Sequence, residues 1–196
     1  MVIPGKKKLV LKLKRRDGRA FERLVSQFQA PVFNLIYRMI GGREEAEDLA
    51  QEVFVTIFKK IDTFRGDSSL ATWVYRIATN HCKNRKKYLG RRRGDQPLAK
   101  EMEETAFKGP ETMRTAAIVD RPDELVEGYQ AERLIQRCIA ELEEEQRLIL
   151  VLRDIQNVSY EDISTITGLP LGTVKSRLHR ARMCLKDKLT PLLRTP

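Results

Sequence analysis

"SYEDISTITGLPLGTVKSRLHRARMCLKDKL" runs from Ser159 to Leu189 and reads as two helices with a sharp turn between them. Tyr160, Ile163 and Ile166 fall at helical spacing on a short amphipathic segment. Gly168-Leu169-Pro170 stops that segment, and a longer helix follows. On the longer helix Val174, Leu178, Ala181 and Leu185 form one apolar stripe at intervals of four, three and four. Lys175, Ser176, His179 and Arg180 then project from the other side, because each residue turns the helix by about 100°. Two short helices around a glycine-containing turn form a helix-turn-helix. Donors near the start of its second helix can reach base edges in the major groove, while Arg177 and Arg182 suit phosphates. An ordinary surface helix would also carry solvated charges, so the rest of the chain has to decide. His179 has no second His or nearby Cys at ligand spacing, which argues against a metal site.

Charge supports a polyanionic partner. The 196-residue chain has a net charge of +10, unevenly spread. Residues 1–95 carry 22 Lys and Arg against 10 Asp and Glu, residues 96–128 carry 4 against 8, and residues 129–196 carry 11 against 9. A basic half, an acidic connector and a mildly basic half point to a polyanion such as nucleic acid, although an ordinary soluble basic protein could carry the same balance. Low aromatic content with few Gly and Pro favours helices. No apolar run approaches the roughly 18 residues of a membrane span. The start, "MVIPGKKKLVLKLKRR", lacks the uninterrupted apolar core of a secretory signal. Cys82, Cys138 and Cys184 are odd in number and far apart, which fits a reducing cytoplasm and predicts neither a disulfide framework nor a metal cluster.

The first half has three helical patterns. Phe21, Leu24, Val25 and Phe28 begin a stripe that Val32, Leu35, Ile36 and Met39 continue, predicting a helix over 18–40. Pro31 predicts a kink or break near Ala30, and Gly41-Gly42 ends the helix. A second helix over about 44–61 places Ala46, Leu49, Ala50, Val53, Ile57 and Ile61 inward. "FRGDSS" (Phe64–Ser69) is turn chemistry, with Ser69 or Ser68 able to cap a third helix from about Leu70 to Tyr88. "GRRRGDQP" is expected to break it, and periodicity fades until about Pro122. Further on, Leu134, Cys138, Ile139 and Leu142 form a stripe, and Leu148, Ile149, Val151 and Leu152 belong to the next helix.

"FRGDSSLATWVYRIATNHCKNRKK" (Phe64–Lys87) holds the only tryptophan, a tyrosine, two asparagines and a cationic tail. A packed helix needs apolar residues on one face, and a phosphate-binding segment needs cations; neither needs both with amides between. Unstacked bases need π-faces to stack on and amides to read their edges.

The chain resembles the extracytoplasmic-function (ECF) group of bacterial RNA polymerase sigma factors, in its sigma-E-like form. The matching segments are "AFERLV", "EEAEDLAQEVFVTIFKKIDTFRGDSSLATWVYRIATNHCKN" and "LILVLRDIQNVSYEDISTITGLPLGTVKSRLHRAR". The resemblance implies an all-α fold of two small helical domains joined by a flexible linker. Residues 1–92 would bind core polymerase and melt and recognise the −10 element; residues 93–128 would link; residues 129–196 would recognise the −35 element. By the same resemblance Asp48, Gln51 and Glu52 form the core-polymerase patch on the segment "EDLAQEVF". Phe64, Asp67, Ser68, Ser69, Leu70 and Asn80 would form a pocket for a flipped base, with Asn84 beside it and Lys83, Arg85, Lys86 and Lys87 on backbone phosphates. Trp73 is open between core packing and a DNA contact. Thr173, Lys175, Ser176, Arg177, His179 and Arg180 would serve the −35 element. Glu143 stands where many relatives have proline, which loosens the next helix start, and Lys175 and His179 depart from the common recognition helix.

The expected partners are core polymerase, promoter DNA in double- and single-stranded form and an anti-sigma factor, in the cytoplasm, with no small-molecule substrate and no membrane insertion. No cofactor, metal or catalytic site is expected, since the chain has two histidines and neither a Gly-rich phosphate loop nor H-E-x-x-H. The rivals are a plain DNA-binding regulator, which leaves Asp48–Glu52 and Phe64–Asn84 unused, and an enzyme acting on nucleic acid.

Overall fold

The computed structural model describes residues 4–93 and 122–192. The chain opens with α1 (Pro4–Lys14), a helix that the sequence reading did not include. Asp17 starts α2 (Gly18–Ile40) by accepting a hydrogen bond from the Ala20 amide at 2.8 Å. Contrary to one expectation, α2 is not broken at Pro31. Proline forfeits one backbone bond, but Phe28, Val32, Leu35 and Ile36 are buried on both sides of it and hold the two segments to the same core. Gly41, at φ 94°, ends the helix and donates to the Tyr37 carbonyl.

Helix α3 (Arg43–Lys60) buries Ala46, Leu49, Ala50, Val53 and Ile57 against α2, then tightens into a 3₁₀ turn over Ile61–Thr63. Ser69 rather than Ser68 caps α4, its hydroxyl accepting from the Thr72 amide at 3.0 Å. Helix α4 (Leu70–Arg93) passes the stop expected near Tyr88. One glycine costs a helix about 1 kcal/mol, which the favourable Arg residues around Gly90 offset in part.

The second half begins with α5 (Pro122–Ala140), where the fading periodicity was expected to end. The helix takes in residues 122–128 of the span assigned to the linker; the rest of that span beyond Arg93 lies outside the described residues. Glu143 precedes α6 (Glu144–Leu150) without a side-chain cap, its carbonyl accepting from the Arg147 amide at 2.8 Å. A π turn over Val151–Ile155 follows, closed by the Gln156 amide on the Val151 carbonyl at 3.0 Å. Ser159 and Asp162 form the capping pair of α7 (Tyr160–Thr167): the Ser159 hydroxyl accepts from the Asp162 amide and donates to its carboxylate. Gly168 takes the left-handed conformation at φ 76°, turning the chain into α8 (Leu171–Leu192). Val174, Leu178 and Ala181 are buried, as the stripe requires.

The two halves also meet directly. Buried Gln136 of α5 donates to the Tyr37 carbonyl and accepts from Arg38, which also pairs with Glu132. Arg147, 6% exposed, donates to the carbonyls of Met39, Ala140 and Leu142, so one guanidinium serves the last turn of α2 and the end of α5. Helix α7 lies against α4, where Thr72 donates to Asp162 at 2.6 Å, Tyr75 to Gln156 at 3.1 Å and Arg76 to the Thr165 carbonyl at 2.6 Å.

Candidate nucleic-acid interface

The loop between the 3₁₀ turn and α4 turns at Gly66, whose φ of 87° favours glycine. Arg65, Gly66, Asp67 and Ser69 are exposed, and Ser68 and Leu70 are half-buried. On α4, Asn80, Lys83, Asn84 and Lys87 are all exposed and recur at i, i+3, i+4 and i+7, so they share one side of the helix. Two amides and two cations therefore stand in a row beside an exposed loop.

Other expected members lie elsewhere. Phe64 is only 6% exposed, its ring 5.5 Å from that of Trp73, so it offers no free face for base stacking. The cause is local: Phe64 closes the 3₁₀ turn onto Ile61, which points its ring at the core. Trp73 is half-buried and packs against the same core. Arg85 is occupied by Glu45 and Glu52, both at 2.6 Å. Lys86 is half-buried and 3.7 Å from Glu144; burial and then Arg147 lower its pKa, against Glu144. Neither is a free phosphate ligand in this arrangement. Thr72 and Arg76 continue the Asn80 side of α4 toward its N-terminus, and the sequence reading passed over both.

On α8, Lys175, Ser176, His179 and Arg180 are exposed, and Thr173 is half-buried with its carbonyl accepting from Ser176. The Lys175 ammonium lies 5.8 Å from the Tyr160 ring centre. Arg177 pairs with Glu145, and Arg182 makes two bonds to Asp154 at 3.0 and 2.6 Å. In this arrangement the two arginines tie α8 to its own half, and Arg182 keeps half of its side chain exposed.

Asp48, Gln51 and Glu52 are exposed and, with Val55, Thr56, His81 and Arg85, line an open groove of about 550 Å³ between α3 and α4. Val55 is 52% exposed, an apolar floor under an acidic rim. Its position one helical turn after Gln51 was the available signal for it. His81 hydrogen-bonds Thr56 at 3.0 Å and lies 3.7 Å from Glu52. Burial lowers its pKa despite Glu52. Burial also pushes the Cys82 thiol up to about 12. Among the described residues no cluster could hold a metal ion, and no helix is long and apolar enough to cross a membrane.

A reading helix on one half and an amide-and-cation row on the other define a two-region DNA-recognition protein. Residues 24–92 match the family model for Sigma-70 region 2, and residues 132–185 match that for Sigma-70, region 4. The chain is 38% identical to the RNA polymerase sigma-H factor of Pseudomonas aeruginosa over 95% of its own length and 94% of that protein's. It is 35% identical to the ECF RNA polymerase sigma-E factor of Haemophilus influenzae, over 94% and 95%. Its fold is similar to that of CnrH in complex with the cytosolic domain of CnrY (TM-score 0.67, 19% identity, 95% and 97% covered). It is also similar to that of the sigma factor RpoE in complex with the anti-sigma factor NepR from Bartonella quintana (TM-score 0.65, 23% identity, 87% and 96% covered). The chain belongs to the ECF group of the sigma-70 family, and it is a promoter-specific transcription initiation factor.

Proposed function

We propose that the first half opens and reads the −10 element and the second docks on the −35 element. The observation that carries this is the exposed row Asn80–Lys83–Asn84–Lys87 beside the loop Arg65–Ser69. A displaced strand needs amides for its base edges and cations for its backbone, and that row supplies both. The pocket is then Asp67, Ser68, Ser69, Leu70 and Asn80, with Phe64 supporting the loop from behind. On the other half Lys175, Ser176, His179 and Arg180 face the −35 duplex. The protein does no chemistry itself; it works in the cytoplasm, with no small-molecule substrate and no membrane insertion.

The groove above Asp48 takes the core polymerase. An acidic rim over an apolar floor suits a basic helix with apolar anchors. Glu52 is already neutralised in part by Arg85, so Asp48 is the cleaner probe. Asp48→Lys lowers affinity for core polymerase and leaves duplex binding by α8 unchanged; native gels with labelled core measure the first and anisotropy the second. Unchanged core affinity removes the assignment and favours a plain DNA-binding regulator. An anti-sigma protein completes the set of partners, by analogy with the sigma factor RpoE in its complex with the anti-sigma factor NepR.

A further inference from the structure

Helix α1 has no role in the reading above. It docks through Leu13, which is buried, and through Leu9 and Val10, which lie against the core. Lys8, Lys12 and Arg15 follow one another at i, i+4 and i+7 on the opposite side, and all three are exposed. Residues 1–16 contain no acidic residue. Among the described residues, none of the three cations has an ion pair of its own.

The junction after α1 places this stripe. Arg16 is left-handed at φ 60°, a conformation usually left to glycine. Its amide donates to the Leu13 carbonyl and the Asp17 amide to that of Lys12, the paired bonds that end a helix at such a residue. An arginine tolerates that position here because its side chain is used. It bonds Asp62 at 2.5 Å, donates to the Phe58 carbonyl and lies over the Phe58 ring at 4.8 Å. Arg16 thus clamps α1 to the end of α3 and the 3₁₀ turn, next to the loop of the base pocket. Exposed Lys59, Lys60 and Arg65 flank the same corner. On the far side of the pocket α4 keeps Lys83 and Lys87 but has lost Arg85 and Lys86 to carboxylates.

We propose that Lys8, Lys12 and Arg15 bind the phosphate backbone of single-stranded DNA that leaves the pocket on its loop side. The contact is independent of sequence, and it rests on the assignment of the pocket to an unpaired strand. The stripe continues a cationic path that α4 alone provides only in part.

The test uses the full-length chain with Lys8→Gln, Lys12→Gln and Arg15→Gln combined, and fluorescein-labelled oligo-dT, oligo-rU and duplex DNA titrated across a potassium chloride series. All three positions are exposed, so the thermal melt of the variant matches the parent. The log–log salt slope for oligo-dT flattens by about 2, because each single-strand phosphate contact contributes roughly 0.7. A parental slope and affinity in the variant, with the parent chain binding oligo-dT, overturns the proposal and leaves the pocket untouched. A parent chain that does not retain oligo-dT at all overturns the pocket assignment and the proposal with it. A loss confined to oligo-rU or to duplex also overturns it, assigning the stripe to RNA or to paired DNA.

Discussion

Helices α4 and α8 are of similar length and both basic, yet the structure treats them differently. The reading side of α8 is open: Lys175, His179 and Arg180 are exposed, and Lys175 lies over the Tyr160 ring of α7. The corresponding side of α4 is bare only from Asn80 onward, because Asp162 and the Thr165 carbonyl of α7 hold Thr72 and Arg76. One half's capping residue, Asp162, is thus an acceptor for the other half's helix. A folded chain of this size has a radius of gyration of about 16 Å. Elements at −35 and −10 lie roughly 25 base pairs apart, or about 85 Å at 3.4 Å per pair. The arrangement with α7 on α4 therefore cannot occupy both elements at once. Reaching both requires the two halves to separate, and the contacts between them set what separation costs.

The largest expected effect comes from Arg147. Its guanidinium is buried, and burial lowers its pKa. Arg147→Ala leaves the carbonyls of Met39, Ala140 and Leu142 without their donor. At about 1.5–3 kcal/mol for a hydrogen bond to a charged group, and with partial compensation by water, the loss is about 3–5 kcal/mol. Urea unfolding followed by fluorescence of Trp73 reads the first half, and circular dichroism reads both. A loss seen only by circular dichroism would confine the contribution of Arg147 to its own half.

Next is the difference between the two reading sides. Asn80→Ala removes an amide from the bare part of α4 and is expected to cost about 2 kcal/mol, or roughly 30-fold in open complex. It leaves α8 binding to duplex and the thermal melt unchanged. Arg180→Ala does the reverse, costing about 1–3 kcal/mol on a cognate upstream duplex if Arg180 reads a base. 2-Aminopurine fluorescence in the −10 element and anisotropy on upstream duplex separate the two. A pre-melted promoter that rescues Asn80→Ala would show that the amide acts on duplex rather than on the single strand.

A smaller effect tests closure itself. Arg38 pairs with Glu132 and bonds Gln136 across the halves, with its side chain 13% exposed. Arg38→Glu places two carboxylates together and shifts the chain toward separated halves by about 1 kcal/mol, roughly fivefold. Glu132→Arg in the same chain restores the pair with opposite polarity and reverses the shift. Energy transfer between labels on α3 and α8 follows it. Equal transfer in the parent, single and double variants would mean that this pair does not hold the halves together.

These contacts mark where the sequence stopped being legible. Helices α2, α3, α4 and α8 could be read because each carries its own apolar stripe, a local signal that survives without the fold. Helix α1 was missed because Leu9, Val10 and Leu13 are few and sit among lysines. Phe64 was read as a base-stacking surface, since an aromatic beside a turn looks alike whether it faces the core or water. Arg85, Arg177 and Arg182 were read as phosphate ligands for a similar reason. A basic side chain on a helix is legible, but the carboxylate that meets it comes from another element. Arg147 and Gln136 reach back to residues 108 and 99 positions earlier, and nothing local announces such pairs.

His81 gives the smallest effect and lines the groove between α3 and α4 rather than the exposed Asn80–Lys87 row. Burial lowers its pKa, Glu52 raises it, and Lys60 and Arg85 lower it further. The folded value is therefore below the unfolded one, and the folded state binds fewer protons between the two. Stability from this group is fully present above the ordinary imidazole pKa and is lost as pH falls through the lowered folded value. Protonation also adds a positive charge beside Asp48 and Glu52, which reduces the pull of the acidic rim on a basic partner. For a partly exposed contact that is about 0.2–1 kcal/mol, at most a few-fold in affinity. Core-polymerase affinity should thus weaken gently only as pH falls through the lowered folded value, below the ordinary imidazole range. His81→Gln, which keeps a polar partner for Thr56 and cannot gain a proton, should flatten that dependence and leave affinity at higher pH unchanged. An unaltered pH profile in His81→Gln would show that this imidazole is not the source of the dependence.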